Sequence, residues 1–265
     1  MNTICICDNI SCDTKFYTDY FYSDGKKVSD NAPKWAMSLR SARSMRFRYD
    51  EVNDNRSSFF SSFFLDKKRE IASVELIHSK IVYAIENALE IAERKGDGII
   101  TQNKELVPAV TVADCMPIFI YDPITKVFGA LHSGWKGTGI VEDAIREAGE
   151  KYGAKASDFL VVLGAHIQSC CYLVEKERAD YFAEKFTPDC VEDIGSGKYR
   201  LSLAKANLAV LKKIGVKDEN ITLCTDCTSC AKDKEKNYPF GSFRRETGAQ
   251  IGKPFTVQAA FSYWE

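Results

Sequence analysis

Cys115 and His132 lie at the two ends of a pair of apolar runs in the segment TVADCMPIFIYDPITKVFGALHSGWKGTG, residues 111–139. A thiolate and an imidazole are both good zinc ligands, with Zn–S bonds of about 2.3 Å and Zn–N bonds of about 2.0–2.1 Å. If the chain turns back between the two runs, both side chains can reach one ion. The residue types and their spacing therefore indicate metal chemistry.

An antiparallel hairpin would bring these two residues together. The runs at 118–121 and 127–131 are apolar, and DPITK between them is rich in turn residues. Cβ atoms on directly opposite residues of such a hairpin lie roughly 4.5–5.5 Å apart. Pro117 cannot donate a ladder hydrogen bond, so we expect pairing to end there and to leave Cys115 in a loop. A turn centred on Ile124 pairs Tyr121 with Val127, Ile118 with Ala130, Met116 with His132 and Cys115 with Ser133.

A third ligand is available among the three histidines of the chain, His78, His132 and His166. His78 ends the alternating run SVELIH, which predicts a strand with His78 on the same face as its apolar residues. With Cys115 and His132 it makes a His-Cys-His set, and three protein ligands leave one position open, as in catalytic zinc sites. Two alternatives stay open from spacing alone. A cysteine in an apolar strand is often a small core residue, and a histidine often serves a local hydrogen bond.

The elements that position these residues follow from the periodicity of the sequence. A helix is predicted to begin near Asp50 or Asn53, in the locally basic run RSARSMRFRYDEVNDNRSSFF. Helical spacing also occurs in ENALEIAERKGDG, IVEDAIREAGEKYG, KERADYFAEKF and LSLAKANLAVLKKIG, and strands are predicted in SVELIH, DFLVVLGA and PFTVQAAFSYW. This mixture predicts an α/β or α+β fold of layered, mixed sheets. We expect a single domain over residues 1–265, with residues 1–45 as a less regular N-terminal portion.

Composition excludes several classes of protein. The formal net charge is -1 and the isoelectric point is about 6.4, so no basic field favours nucleic acid or an anionic membrane. No apolar run approaches the roughly 18–20 residues that span a bilayer, and the first residues do not resemble a secretory signal. The ten cysteines are therefore expected to be mostly reduced thiols in the cytoplasm.

Several motifs together resemble the laccase-domain family, also called polyphenol-oxidase-like or YfiH-like proteins. TVADCMPI is similar to its T-A-D-C-x-P motif, and LHSGWKGT is similar to its H-A-G-W-R/K-G motif. The likeness extends in the family's order over roughly residues 50–250, through DNRSSFF, ELIHS, GDGIIT and CTSC…FGSFRRE. The sequence departs from the family at GAHIQSCCY, which lacks two prolines and a glycine, and at TGAQIGK, which lacks an arginine.

The resemblance implies a fold, a metal and an activity. It implies an α-β-β-α sandwich and one zinc ion bound by His78, Cys115 and His132. It also implies phosphorolysis of adenosine, inosine, guanosine or methylthioadenosine, and deamination of adenosine, by a monomer or homodimer whose partners are purine nucleosides and phosphate. Two alternatives remain: a copper-dependent polyphenol oxidase, and a peptidoglycan-precursor editing protein with a structural metal. The three histidines are few for multicopper chemistry.

The implied chemistry suggests further site residues. Deamination needs a proton shuttle, and Asp114 beside Cys115 is a candidate, unless its carboxylate accepts backbone N–H groups that shape the loop. Phosphate could bind at Lys136, where the segment KGTG enters a helix N-terminus, although Thr138 could simply cap a tight turn there. Guanidinium contacts to phosphate or ribose could come from Arg56, Arg244 and Arg245, or these residues could form salt bridges.

The remaining cysteines carry weaker signals. Cys224, Cys227 and Cys230 form C-x2-C-x2-C, but the position of the fourth cysteine of a ferredoxin run is Lys234. We therefore interpret the run as part of the domain rather than as an iron–sulfur motif. Cys170 and Cys171 are expected to be buried thiols.

Overall fold

Two β-sheets form the centre of the computed structural model, which describes residues 1–64, 69–248 and 250–265. The strands are β1 Asn2–Ile4, β2 Phe16–Tyr20, β3 Tyr22–Ser23, β4 Lys26–Lys27, β5 Lys34–Ser38, β6 Glu70–Ser73, β7 Val82–Ala84, β8 Gly98–Thr101, β9 Leu106–Val112, β10 Met116–Tyr121, β11 Phe128–Ser133, β12 Leu160–Leu163, β13 Leu173–Glu175, β14 Val191–Asp193, β15 Lys198–Leu201, β16 Ile221–Cys224 and β17 Gln258–Tyr263. The α-helices are α1 Asp54–Phe63, α2 Ile140–Tyr152, α3 Lys176–Lys185, α4 Leu203–Ile214 and α5 Phe243–Thr247.

The larger sheet has the strand order β1-β16-β12-β10-β11-β8-β7, and the second sheet has the order β2-β5-β17-β9-β6. Both sheets are mixed: β12 runs parallel to β16 but antiparallel to β10, and β6 runs parallel to β9 while β17 is antiparallel to it. Smaller sheets β13-β15-β14 and β3-β4 lie at the periphery. The expected mixed layered architecture is present.

The layers follow from which face of each sheet is apolar. A buried cluster between the two sheets joins Trp35 and Val110 of the second sheet to Phe119 and Phe128 of the larger one. The outer face of the larger sheet packs against α2 and α4, and the outer face of the second sheet packs against α1. The order of layers is therefore α-β-β-α, as the resemblance implied.

The helices begin and end where the sequence supplies caps. Asn53 accepts a hydrogen bond from the Arg56 backbone N–H and begins α1, one of the two predicted starts. Val141, Ala144 and Ala148 are buried along α2 as the apolar stripe predicts, and Gly215 ends α4 in the left-handed conformation.

Four predictions about local structure were wrong. The β10–β11 hairpin is shifted by one residue, with Tyr121 opposite Phe128 instead of Val127. The strand expected through SVELIH ends at Ser73, and His78 instead lies in a bend with φ +58°. The helix expected in ENALEIAERKGDG is a single 3-10 turn, Ala88–Ile91. Pairing of β10 with β11 continues through Pro117 to Met116 instead of stopping at the proline.

The N-terminal portion is part of both sheets. β1 pairs with β16 at the edge of the larger sheet, while β2 and β5 extend the second sheet beside β17. Within the described residues, no helix is long and apolar enough to cross a membrane.

Candidate metal site and the cavity around it

His78, Cys115 and His132 meet at one end of the larger sheet. Cys115 occupies the bend before β10, His132 lies in β11, and His78 comes from the bend after β6. One ligand atom of each residue lies within 4.8 Å of the others. His132 is buried, Cys115 is half-buried and His78 is exposed, so the group is open towards solvent on one side.

Asp97 fixes the orientation of both histidines. Its carboxylate Oδ1 lies 2.8 Å from His132 Nδ1 and accepts the His78 backbone N–H at 2.9 Å. The other oxygen accepts the backbone N–H and the hydroxyl of Ser79, each at 2.6 Å. Because Nδ1 of His132 is engaged by Asp97, its Nε2 is left to bind a metal. A carboxylate behind a ligand histidine is the usual way in which proteins orient the ring.

The Cys115 thiol and the His132 ring shift the pKa of one another. Burial raises the pKa of the Cys115 thiol, but the adjacent His132 ring, followed by His78, outweighs it and lowers the pKa to about 6. Burial lowers the pKa of His132, while the Cys115 thiolate and Asp97 raise it to about 9. The thiolate, the form of cysteine that binds metals, is therefore favoured near neutral pH.

The space between the donors fits an ion. A Cβ built on Gly134 would lie 3.1 Å from Cys115 Sγ and from His78 Nδ1, so a larger residue there would push both donors by a few tenths of an ångström. Two imidazoles and one thiolate are a donor set that zinc accepts, with a fourth position free. The residues therefore fit a mononuclear metal site with an open position.

The site forms part of the wall of a cavity of about 1020 Å³. Aromatic side chains form much of the remaining wall: Phe47, Trp135, Tyr172, Phe243 and Phe255. Cationic side chains also line it: Arg46, Arg48, Arg178, Arg244 and Lys253. The cavity thus combines a metal-binding group, aromatic faces and positive charge, which suits a ligand with a flat ring and an anionic group.

Arg178 and Arg244 approach Tyr172 from two sides. Arg178 lies over the Trp135 ring at 4.3 Å and donates to the Tyr172 hydroxyl at 3.4 Å. Arg244 lies 5.8 Å from the Tyr172 ring and donates to the Leu173 carbonyl at 3.4 Å. Both guanidinium groups thus donate to uncharged oxygens and keep their charge for an anion. Arg46 and Arg48 instead pair with Glu51 and Glu75.

Two arginines predicted as substrate ligands hold other parts of the protein. Arg56 is buried, donates to the Met45 carbonyl and the Ser73 hydroxyl, and lines a neighbouring cavity of about 780 Å³. Burial lowers the pKa of its guanidinium to about 10. Arg245 donates to the carbonyl oxygens of Thr228, Ser229 and Phe240. Neither arginine is among the residues that line the metal cavity.

The helix N-terminus predicted for phosphate is occupied by the protein's own acceptors. The Gly139 N–H donates to Asn207 Oδ1 at 3.1 Å, and the Ile140 N–H donates to the Gly137 carbonyl at 3.0 Å. Gly139 caps α2, and the Thr138 hydroxyl donates back to the Gly134 carbonyl, so Thr138 is not the cap that the alternative supposed. Lys136 is exposed and lies 5.3 Å from the Trp135 ring.

Asp114 lines the cavity beside Cys115 and has both carboxylate oxygens engaged. One accepts the Thr228 hydroxyl at 2.7 Å, and the other accepts the Arg244 backbone N–H at 2.6 Å. These bonds join the Cys115 loop to the loop after β16 and to α5, and they agree with the alternative in which the carboxylate shapes the loop. Its use as a proton shuttle stays a prediction.

Sequence analysis missed three residues that organise the site. Asp97 lies in the quoted motif GDGIIT and Gly134 in LHSGWKGT, but neither had a recognisable chemical signal of its own. Arg178 lies in the helix KERADYFAEKF and resembles any surface arginine of an amphipathic helix. Only the position of its guanidinium over Trp135 in the structure shows that Arg178 belongs to the cavity wall.

The fold and the site define a layered α-β-β-α protein with a His-Cys-His group, whose spacing suits a metal ion, in an aromatic, cationic cavity. The sequence profile of the family described as multi-copper polyphenol oxidoreductase laccase matches residues 32–258, and the chain belongs to this family.

Similar proteins carry names from nucleoside chemistry. A purine nucleoside phosphorylase of Clostridium acetobutylicum is 32% identical over 209 residues, which cover 78% of this chain and 83% of that protein. A protein named adenosine deaminase RL5, from an unknown prokaryotic organism, is 30% identical over 178 residues, covering 64% of this chain and 66% of that protein. The crystal structure of YlmD from Geobacillus stearothermophilus has the same fold, with a TM-score of 0.76 at 22% identity over 93% of this chain and 97% of that one.

Proposed function

We propose that this protein is a zinc-dependent purine nucleoside phosphorylase acting on adenosine, inosine, guanosine and methylthioadenosine. The observation that carries the proposal is the convergence of His78, Cys115 and His132 on one point at the wall of an open cavity. The names of its relatives supply the substrate class.

Zinc is proposed rather than copper because of the donor set. The group offers one thiolate and two imidazoles, and the chain has no histidines beyond His166 for additional copper ions. His166 is buried away from the group, with Nδ1 2.8 Å from the Gly164 carbonyl. A zinc ion bound by the three residues would supply a Lewis acid and lower the pKa of a bound water to about 7.

The aromatic wall is proposed to hold the purine. Trp135 and Tyr172 line the cavity with aromatic rings that can stack with a flat heterocycle, and Phe243 adds an apolar contact. Stacking discriminates little between bases, so one cavity can accept adenine, guanine and hypoxanthine.

Arg178 and Arg244 are proposed to bind phosphate. In phosphorolysis a phosphate oxygen forms a bond to ribose C1′ while the bond from C1′ to the purine nitrogen breaks, and the base leaves with that electron pair and takes up a proton. Two guanidinium groups that have no carboxylate partner among the described residues can hold the dianion next to the sugar. Arg244 was predicted from the sequence, and Arg178 is added from its place in the cavity.

A second activity, hydrolytic deamination of adenosine, is supported by the relative named adenosine deaminase and by the same open metal position. Asp114 is the proposed proton shuttle because it lines the cavity next to Cys115. Its two hydrogen bonds from Thr228 and Arg244 would keep the carboxylate in place.

The proposal is tested with purified zinc-loaded protein and a panel of the four nucleosides, with and without phosphate. We expect release of free base only with phosphate, and a separate, phosphate-independent conversion of adenosine to inosine. Replacing Cys115 by serine should lower the rates of both reactions at least 100-fold, because a proposed zinc ligand is lost. Cys12→Ser, at an exposed cysteine outside the site, is the matched control. Intact nucleosides after long incubation would refute the proposal.

A further inference from the structure

Four other cysteines come together about a second point. Cys170 and Cys171 lie after β12, and Cys227 and Cys230 lie after β16. Their four sulfur atoms all lie within 4.8 Å of one another, with 3.8 Å between Cys170 and Cys171 and 3.7 Å between Cys170 and Cys230. Among the described residues this is the second of two groups whose spacing suits a metal ion.

The topology of the larger sheet explains why these cysteines meet. β12 and β16 are parallel neighbours, with Leu163 paired to Leu223, so the loops after them leave from the same edge. An isolated bridge pairs His166 with Cys227, and the Thr228 N–H donates to the His166 carbonyl at 3.1 Å. The loops carrying the two cysteine pairs are therefore held side by side by backbone bonds that do not involve the sulfurs.

The sulfur spacing matches one tetrahedral ion. With Zn–S bonds of about 2.3 Å, tetrahedral geometry puts the sulfurs of a tetrathiolate site about 3.8 Å apart. In an iron–sulfur cluster the thiolates bind different irons and are spread around the cluster, whereas these four converge on one point. Cys224, the first cysteine of the C-x2-C-x2-C run, is not in the group: its thiol is buried and donates to Asp226 at 3.2 Å.

The Cys227 sulfur is held in place by the neighbouring loop. The Gln168 N–H donates to this sulfur at 3.4 Å. A backbone N–H that donates to a ligand sulfur neutralises part of the charge that a metal-bound thiolate carries. Cys170 and Cys230 are exposed, so an ion can enter from solvent. The prediction that Cys170 and Cys171 are buried thiols was wrong, since Cys170 is exposed and Cys171 is half-buried.

We propose that Cys170, Cys171, Cys227 and Cys230 bind one zinc ion in a closed, structural tetrathiolate site, separate from the His78–Cys115–His132 site. Four protein ligands leave no position for substrate, so the ion acts by cross-linking the two loops. These loops carry Tyr172 and Thr228, and Thr228 holds Asp114. The ion would thus fix one side of the catalytic cavity without taking part in the chemistry.

The proposal is tested by counting metal in protein purified under reducing conditions. We expect about two zinc ions per chain in the unmodified protein, about one in Cys115→Ser, about one in the double variant Cys170→Ser/Cys230→Ser, and none in the triple variant. Cys12→Ser should keep both ions. Cobalt loaded into Cys115→Ser should show the intense thiolate-to-metal absorption of a tetrahedral sulfur site.

A second measurement uses the unmodified chain and so does not depend on the variants folding. Zinc should protect the four thiols from alkylation, located by mass spectrometry, and a chelator should expose them, while Cys12 reacts equally in both. One zinc per chain in both the unmodified protein and the double variant would overturn the proposal. Thiols that react at the same rate with and without zinc would also overturn the proposal. A disulfide among the four cysteines under reducing conditions, or the absorption of an iron–sulfur cluster, would overturn it as well.

Discussion

At the scale of single residues, Asp97 connects the proposed metal ligands His78 and His132 to the fold. It is fully buried and accepts four hydrogen bonds, from His78, Ser79 (twice) and His132. Burial raises the pKa of its carboxyl, but the hydrogen bonds from His132 and Ser79 outweigh this and keep the pKa below its usual range. A permanent negative charge therefore faces His132 and holds His78 in its left-handed bend.

Replacing Asp97 by asparagine tests this role. The amide removes the charge behind His132 and cannot accept all four donors, so we expect the zinc affinity of the His78–Cys115–His132 site to fall about 10–100-fold. Competition with a chromophoric chelator measures the change. Asp122→Asn is the matched control, since Asp122 is also fully buried and caps a turn through Ile124 and Thr125, away from the ligands. An unchanged affinity in Asp97→Asn, or an equal loss in Asp122→Asn, would contradict the role.

At the scale of elements, the turn between β10 and β11 decides the register. The observed pairing sets Tyr121 opposite Phe128 and Pro117 opposite His132, one residue away from the prediction. The Asp122 N–H donates to the Val127 carbonyl, and Lys126 adopts φ +67°. The loop therefore contains residues 123–126 instead of being centred on Ile124. Cys115 still reaches His132 because it lies in the bend before the strand, where register does not fix its direction.

Glu246 joins two further elements next to the cavity. Its carboxylate accepts the Ser242 N–H at the start of α5 and the Thr256 N–H ahead of β17. Burial raises its pKa, but the backbone N–H groups of Thr256 and Ser242 outweigh this and lower the pKa below 4.5. The ionised form therefore contributes stability that is present above the unfolded pKa and is lost as the pH falls through the lower folded pKa.

Glu246→Gln should lower the free energy of unfolding at pH 7 by roughly 1–3 kcal/mol, because two backbone hydrogen bonds and the ion pairs with Arg40 and Arg245 lose their charged acceptor. The difference between the two proteins should shrink as the pH falls below about 4.5. Urea unfolding at a series of pH values measures both effects. A difference that stays constant across this range would show that the carboxylate charge does not contribute.

At the scale of the whole molecule, the two sheets share one core. The rings of Trp35 in β5 and Phe119 in β10 stack with centroids 5.2 Å apart, and both side chains are fully buried. Strands from the first 38 residues pair in both sheets. We therefore expect the layers to unfold together, since neither sheet can cover its inner face alone.

Phe119→Ala should lower the free energy of unfolding by about 3–5 kcal/mol, because it leaves a cavity between the sheets. Leu89→Ala, at a side chain that is 81% exposed, should change it by no more than about 0.5 kcal/mol. Circular dichroism and tryptophan fluorescence should report the same urea midpoint. Two separate midpoints would show that the sheets unfold independently.

Residue type and periodicity were enough to predict the candidate ligands and several of the local elements. The buried stripe of α2, the glycine that ends α4 and the apolar strand β12 follow from periodicity and capping, which depend on neighbouring residues. The His-Cys-His set also followed, because Cys115 and His132 belong to one hairpin and few histidines remained.

Tertiary structure alone decided which distant residues meet. The position of Asp97 behind His132, of Arg178 over Trp135, and of Cys170 beside Cys230, 60 residues along the chain, depends on strand order and loop direction. Strand order and loop direction are set by the packing of whole layers. In that packing, contacts between residues far apart in the sequence outweigh the local conformational preference of each segment. The bend at His78 has the same cause, because Asp97 accepts its N–H from another part of the chain and the local alternation cannot express that contact.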